Sequence, residues 1–271
     1  MGDLIRMDSF RLRKSRLFIV VCITVFGVMF AMPLLTKGFV QLIVNMVQGG
    51  SGDALEREIE QLLYELSQPT ALSGIIKSPF GGLSLITILV MISVVSFMYA
   101  DHNNGYIKNI AGQVSSRGNL AVSKYLVTGM HNLILLVLGV LGGMLGTLIS
   151  RGITFDEKMG EGILVFFIKF LLMWGLSAVL LLITNGLGNK TFAVVMAVIF
   201  GSGALLLVYM PLSFGLNKLF KTNNINIAAY APDQLFLANE IDFLSGVTGA
   251  AVLIVLGVFF TVMLMNKKDV K

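Results

Sequence analysis

A single cysteine, Cys22, excludes an intrachain disulfide and any cysteine-held metal cluster. Histidine is almost as scarce. His102 and His131 are the only two, they form no His-Glu-x-x-His pattern, and no pair of acidic residues falls inside the apolar stretches, so neither a zinc hydrolase nor an intramembrane acid pair is expected. A phosphate-binding loop of the form Gly-x-x-x-x-Gly-Lys-[Ser/Thr] is missing too. Its nearest approach, Thr184 to Thr191, has Thr184 and Asn189 where the glycines are required. Charge is the largest deficit: 13% charged against 56% hydrophobic residues leaves too little polar surface to cover a soluble globule of 271 residues.

The apolar residues fall into six runs, Leu17 to Leu35, Phe80 to Ala100, Leu126 to Ile149, Ile163 to Thr184, Thr191 to Leu212 and Leu244 to Met265. Each is long enough, at about 1.5 Å per residue, to cross a hydrocarbon core about 30 Å thick. Barrel strands alternate polar and apolar residues, which these runs do not. An all-α integral membrane protein with six transmembrane helices in a single transmembrane domain is therefore expected.

Of the 20 lysines and arginines, 12 lie in short segments on one side of these spans, among them Arg6, Arg11, Arg13, Lys14, Arg16, Lys108, Arg117, Lys124, Lys190 and Lys267. Seven lie on the other side with most of the acids, and only Lys169 is inside a span. The positive-inside rule then places both termini in the cytoplasm. No small-residue cleavage pattern follows Ala31-Met32-Pro33, so the first span is expected to be a retained signal anchor. With this explanation the basic balance calls for contact with membrane lipids, and no nucleic-acid binding is expected.

The connections are unequal. Residues 36–79 and 213–243 make the large outer loops; the first contains an expected amphipathic helix, Asp53 to Leu66, and the second a helix start at Pro232-Asp233. Gly139, Gly142, Gly143 and Gly146 form two overlapping Gly-x-x-x-Gly pairs in span three, the mark of close helix packing. Gly201-Ser202-Gly203 is read in the same way. Lys169 either snorkels to the outer interface, lines a translocation path, or pairs with Glu161 two turns earlier. His131 and Asn132 are expected at the inner interface.

The inner loop, residues 101–125, carries the functional information. Ile107, Ile110, Ala111 and Val114 recur at helical spacing and give a short helix with one apolar face, which suits a groove on a protein partner. Asp101, Gly105, Tyr106, Ile107, Lys108, Asn109, Arg117 and Lys124 together resemble the first inner loop of ABC-2 type transporter permeases, although that family more often has Glu at the first of these positions and Thr at the third. The similarity extends over essentially the whole chain. It includes the basic segment Asp3 to Arg16, six spans (17–35, 80–100, 126–149, 163–184, 191–212 and 244–265) with both ends inside, the last as the cytoplasmic tail 266–271, and a short interfacial segment between spans five and six.

The resemblance implies that residues 1–16 form an elbow helix along the inner leaflet and that the inner loop, with Ile110, is a coupling helix seated on a cytosolic ABC ATPase. It further implies a bacterial plasma-membrane exporter whose subunits form a homodimer or pair with a related permease. ATP and Mg belong to the separate ATPase, so no cofactor and no enzymatic activity are expected in this chain. Hydrophobic or amphipathic peptides head the expected cargoes, because the spans contain so few charges. Two other classes share some of these features: a membrane-embedded enzyme, and an accessory or immunity protein that recruits an ATPase without transporting.

Overall fold

In the computed structural model, residues 1–47, 64, 68–103, 117–222 and 224–267 are described. The chain is mostly helical, and four helices are long and apolar enough to cross a membrane: Arg16–Leu42, Gly118–Ser150, Met159–Asn185 and Phe243–Lys267. A bent pair, Lys190–Ser202 and Leu206–Phe220, would make a fifth crossing. The protein is thus an all-α, multi-pass membrane protein by the length and composition of its helices.

In chain order the helices are α1 (Gly2–Lys14), α2 (Arg16–Val47), α3 (Leu72–Lys77), α4 (Ser84–Asn103), α5 (Arg117–Ser150), α6 (Met159–Leu181), α7 (Lys190–Ser202), α8 (Leu206–Phe220), α9 (Pro232–Leu237) and α10 (Phe243–Lys267). The long ones form because apolar runs must satisfy their own backbone groups in lipid. Pro33 is accommodated inside α2. A π-helical turn, Leu182–Leu187, extends α6, and Thr184 returns its hydroxyl to the Leu180 and Leu181 carbonyls.

Several boundaries differ from the sequence expectation. Span five is not one straight helix: α7 and α8 meet at 73°. Gly203 takes φ +71°, a left-handed conformation open to glycine at little cost, and ends α7 there. Gly201 does pack closely, since a Cβ on it would lie 2.6 Å from the Ile88 Cα. The second apolar run yields a helix whose apolar stretch, Ser84–Ala100, is only 17 residues long. Conversely α5 begins at Arg117, nine residues before the expected start at Leu126, because nothing from Asn119 to Tyr125 breaks a helix. The expected helix Asp53 to Leu66 lies outside the described residues except for Tyr64, which is helical. Helix α9 starts at Pro232, as the Pro-Asp pair indicated.

The chain divides into two compact units. The second comprises Cys22–Gly81 and Leu136–Phe166. In it a short parallel bridge pairs Thr70 and Ala71 (β1) with Ile153 and Thr154 (β2), a pairing without a sequence signature. Asp156 accepts from the Ser73 amide (3.2 Å) and the Ser73 hydroxyl, tying the first turn of α3 to the segment before α6. Lys77 donates to Glu161 at 2.8 Å. The Ser73 hydrogen bonds, which favour the charged form, hold the Asp156 carboxyl below its usual pKa. A depressed carboxylate stabilises the fold above its unfolded-state pKa, and that contribution disappears as pH falls through the folded-state value. Wild type should therefore be more stable than Asp156→Ala at neutral pH, and the gap should close below about pH 4, as read from paired thermal melts across pH.

Candidate functional site

The first unit comprises Met1–Val21, Gly82–Leu135 and Phe167–Lys271, and contains the segments singled out by sequence. Gly105, Tyr106, Ile107, Lys108, Asn109 and Ile110 lie outside the described residues. Asp101 belongs to the last turn of α4 and Arg117 opens α5. Lys124 is two turns into α5 and buried, its ammonium 5.5 Å from the centre of the Phe97 ring. A 34-residue helix measures about 51 Å, so α5 outreaches a hydrocarbon core of about 30 Å.

Three elements converge where α5 begins. Helix α1 is amphipathic, with Asp8 and Leu12 buried and Arg6, Arg13 and Lys14 exposed. The Ser123 hydroxyl donates to Asp8 Oδ2 at 2.9 Å, fixing α1 to α5, and Arg11 lies 3.8 Å from the same carboxylate. Ser15 adopts an extended backbone that separates α1 from α2, and its Oγ accepts from the Phe18 amide at 3.4 Å, in the manner of an N-cap. Near the end of α10, Asn266 Oδ1 accepts from the Gly118 amide at 2.9 Å and satisfies a donor in the first turn of α5. The middle of α1 and the end of α10 are thus each tied to the first two turns of α5.

Deeper in the unit is a polar network that sequence reasoning missed. His131 and Asn132 are enclosed by protein, at 1% and 0% exposed. Asn132 Nδ2 donates to Ser177 Oγ at 2.8 Å on α6, and Ser93 Oγ on α4 lies 3.1 Å from His131 Nε2. With its amide nitrogen so engaged, Asn132 presents Oδ1 to His131 Nδ1 at 3.3 Å, while the Ser93 hydroxyl that faces Nε2 donates its single proton to the Val90 carbonyl at 2.7 Å. Phe18 packs against the imidazole, with ring centres 5.2 Å apart. The order serine, histidine, asparagine resembles a nucleophile with its base, and none of the three is more than 1% exposed. Its partners sit on three different helices, and no spacing in the chain brings them together. Above it, Trp174 stacks on Tyr125 at 4.9 Å and donates to the Tyr125 carbonyl at 3.0 Å.

Lys169 on α6 is enclosed by protein, 4% exposed, so it does not snorkel along a lipid-facing surface. Nor does it pair with Glu161, which Lys77 engages. Among the described residues it makes no hydrogen bond or ion pair. The four glycines of α5 lie in the second unit. Added Cβ atoms at Gly142 and Gly146 would strike the carbonyls of Phe26 and Phe30 on α2, and one at Gly139 would strike that of Pro79, whereas Gly143 has ordinary 3.4 Å contact with Ile75. Among the described residues no group of three or more His, Cys, Asp or Glu side chains is placed to hold a metal ion. Comparison with protein-family models, curated proteins and solved structures finds no match to the chain.

Proposed function

We propose that the chain is the permease subunit of an ATP-driven exporter, paired with a second permease and driven by separate cytosolic ATPase subunits. The observation that carries this proposal is the Ser123–Asp8 tie between the amphipathic N-terminal helix and the start of α5. A force applied to the connection 104–116 would pass directly into α5, which outreaches the membrane, while α1 braces its base against the lipid surface. The residues of the ABC-2-like pattern, Asp101 to Lys124, occupy that connection and its two flanking helix ends.

In this proposal the crossings are α2, the short α4, α5, α6, the bent α7–α8 pair and α10, with both termini in the cytoplasm of a bacterial cell. Hydrophobic or amphipathic peptides fit the scarcity of charge in the spans. Lys169, enclosed at 4% exposure, would then meet the path only when the helices around it part during the transport cycle. Co-purification of the full chain with a candidate ABC ATPase tests the proposal. Wild type should hold the ATPase in detergent, and Ile107→Asp with Ile110→Asp should release it while the variant still elutes as folded protein. A complex indifferent to these changes, or no ATPase bound by wild type, would overturn the coupling role.

A further inference from the structure

A groove of about 360 Å³ lies between α1, the start of α2 and the end of α4. Arg11, Lys14 and Ser15 offer donors on one wall, and Phe10, Leu17 and Phe97 supply apolar surface beside them. The volume is that of a small-ligand site, and the chemistry is divided: cationic and hydroxyl donors next to greasy side chains. Phe10 and Leu17 remain 53% and 43% exposed although both are large and apolar. Lys14 is exposed, and its ammonium sits 4.7 Å from the Phe10 ring centre without a carboxylate partner among the described residues. The first 17 residues hold five basic and two acidic side chains, and of the acids Asp8 is already engaged by Ser123 and, at 3.8 Å, by Arg11, which leaves the cluster in positive excess.

We infer that this groove is a binding site for one acidic phospholipid. Its phosphate would lie against Arg11, Lys14 and Ser15, and its acyl chains would follow Phe10 and Leu17 into the bilayer. Three facts select a lipid over a soluble phosphate. The cations border apolar side chains that need covering, α1 leads directly into a spanning helix, and a basic cleft at a membrane face meets anionic headgroups at high local concentration. A zwitterionic lipid would fill the apolar part equally well, so the discrimination rests on Arg11 and Lys14. The inference needs only a membrane protein with α1 at a membrane face and is independent of the transport proposal. The lipid is then a wedge against α1, which Asp8 and Ser123 hold to α5.

Native mass spectrometry of the full chain in neutral detergent, with equal amounts of dioleoylphosphatidylglycerol and dioleoylphosphatidylcholine, tests it. Wild type should retain one phosphatidylglycerol in preference. Each basic residue near a membrane surface contributes enough that Lys14→Gln should weaken the preference about fivefold, and Arg11→Gln with Lys14→Gln about thirtyfold. Arg6→Gln with Arg13→Gln, which removes two charges from the same helix outside the groove, should leave it within about twofold. Equal retention of both lipids by wild type would overturn the site. Equal loss in the Arg6 and Arg13 variant would reduce it to a diffuse field, and competition by glycerol 3-phosphate as effective as the lipid itself would make the ligand a soluble phosphate. Lys14 is exposed, so its single variant keeps the test valid even if Arg11→Gln fails to fold.

Discussion

Gly146→Leu is expected to destabilise the folded protein by about 3 kcal/mol or more, at the upper end of what overpacking costs. A Cβ at this position would overlap the Phe30 carbonyl, and backbone atoms cannot swing aside as the tip of a side chain can. Gly142 repeats the contact one turn earlier, 2.6 Å from the Phe26 carbonyl, so the two residues form a smooth strip on which α2 lies. Gly143 is the internal control. Its Cβ would meet Ile75 Cγ2 at 3.4 Å and Met29 Cε at 3.8 Å, both ordinary contacts with side-chain ends, and alanine relieves a helix of the glycine penalty of roughly 1 kcal/mol, so Gly143→Ala should be neutral or stabilising. Unfolding in detergent, followed by circular dichroism or by the single tryptophan, Trp174, measures both. Equal effects of the two substitutions would show that the α2 contact is not as close as described.

These glycines show which features of the sequence were legible. Two Gly-x-x-x-Gly pairs are equivalent on paper, yet only Gly142 and Gly146 meet the α2 backbone, while Gly139 meets Pro79 and Gly143 has ordinary contacts with the Ile75 and Met29 side chains. Spacing identifies a small-residue face; which neighbour covers it depends on contacts distant in the chain. The apolar runs were legible for a simpler reason, since a helix in lipid needs only length and hydropathy. Their interruptions were harder to see. Gly201 and Gly203 both pack closely, against Ile88 and Leu237, and only the positive φ at Gly203 shows that it also ends α7. The early start of α5 was hidden by Ser, Asn and Lys residues that resemble a loop, yet Ser123 and Lys124 are polar because they answer Asp8 and Phe97. The same holds for His131 and Asn132, whose partners Ser93 and Ser177 lie on other helices.

Replacing Lys169 with methionine should stabilise the protein by up to about 3 kcal/mol, because a cation at membrane depth costs about that much and methionine fills a similar volume without it. On its own helix the residue is flanked by Val165, Leu172, Met173 and Leu176, all buried and apolar. No hydrogen bond or ion pair among the described residues compensates the charge, so little is lost with it. Lys169→Glu, which keeps a charge and reverses its sign, should show no comparable gain. Chemical denaturation of the three proteins in detergent at neutral pH measures the order, and destabilisation by methionine would reveal a partner for the ammonium, such as a carboxylate supplied by a second subunit. Stability given up at an enclosed charge is the usual mark of a position kept for its action. If the chain exports cargo as proposed, Lys169→Met should therefore be the more stable protein and the poorer transporter when reconstituted with its ATPase in vesicles. A variant that gains stability and transports normally would remove Lys169 from the path and leave the proposal resting on the connection between α4 and α5.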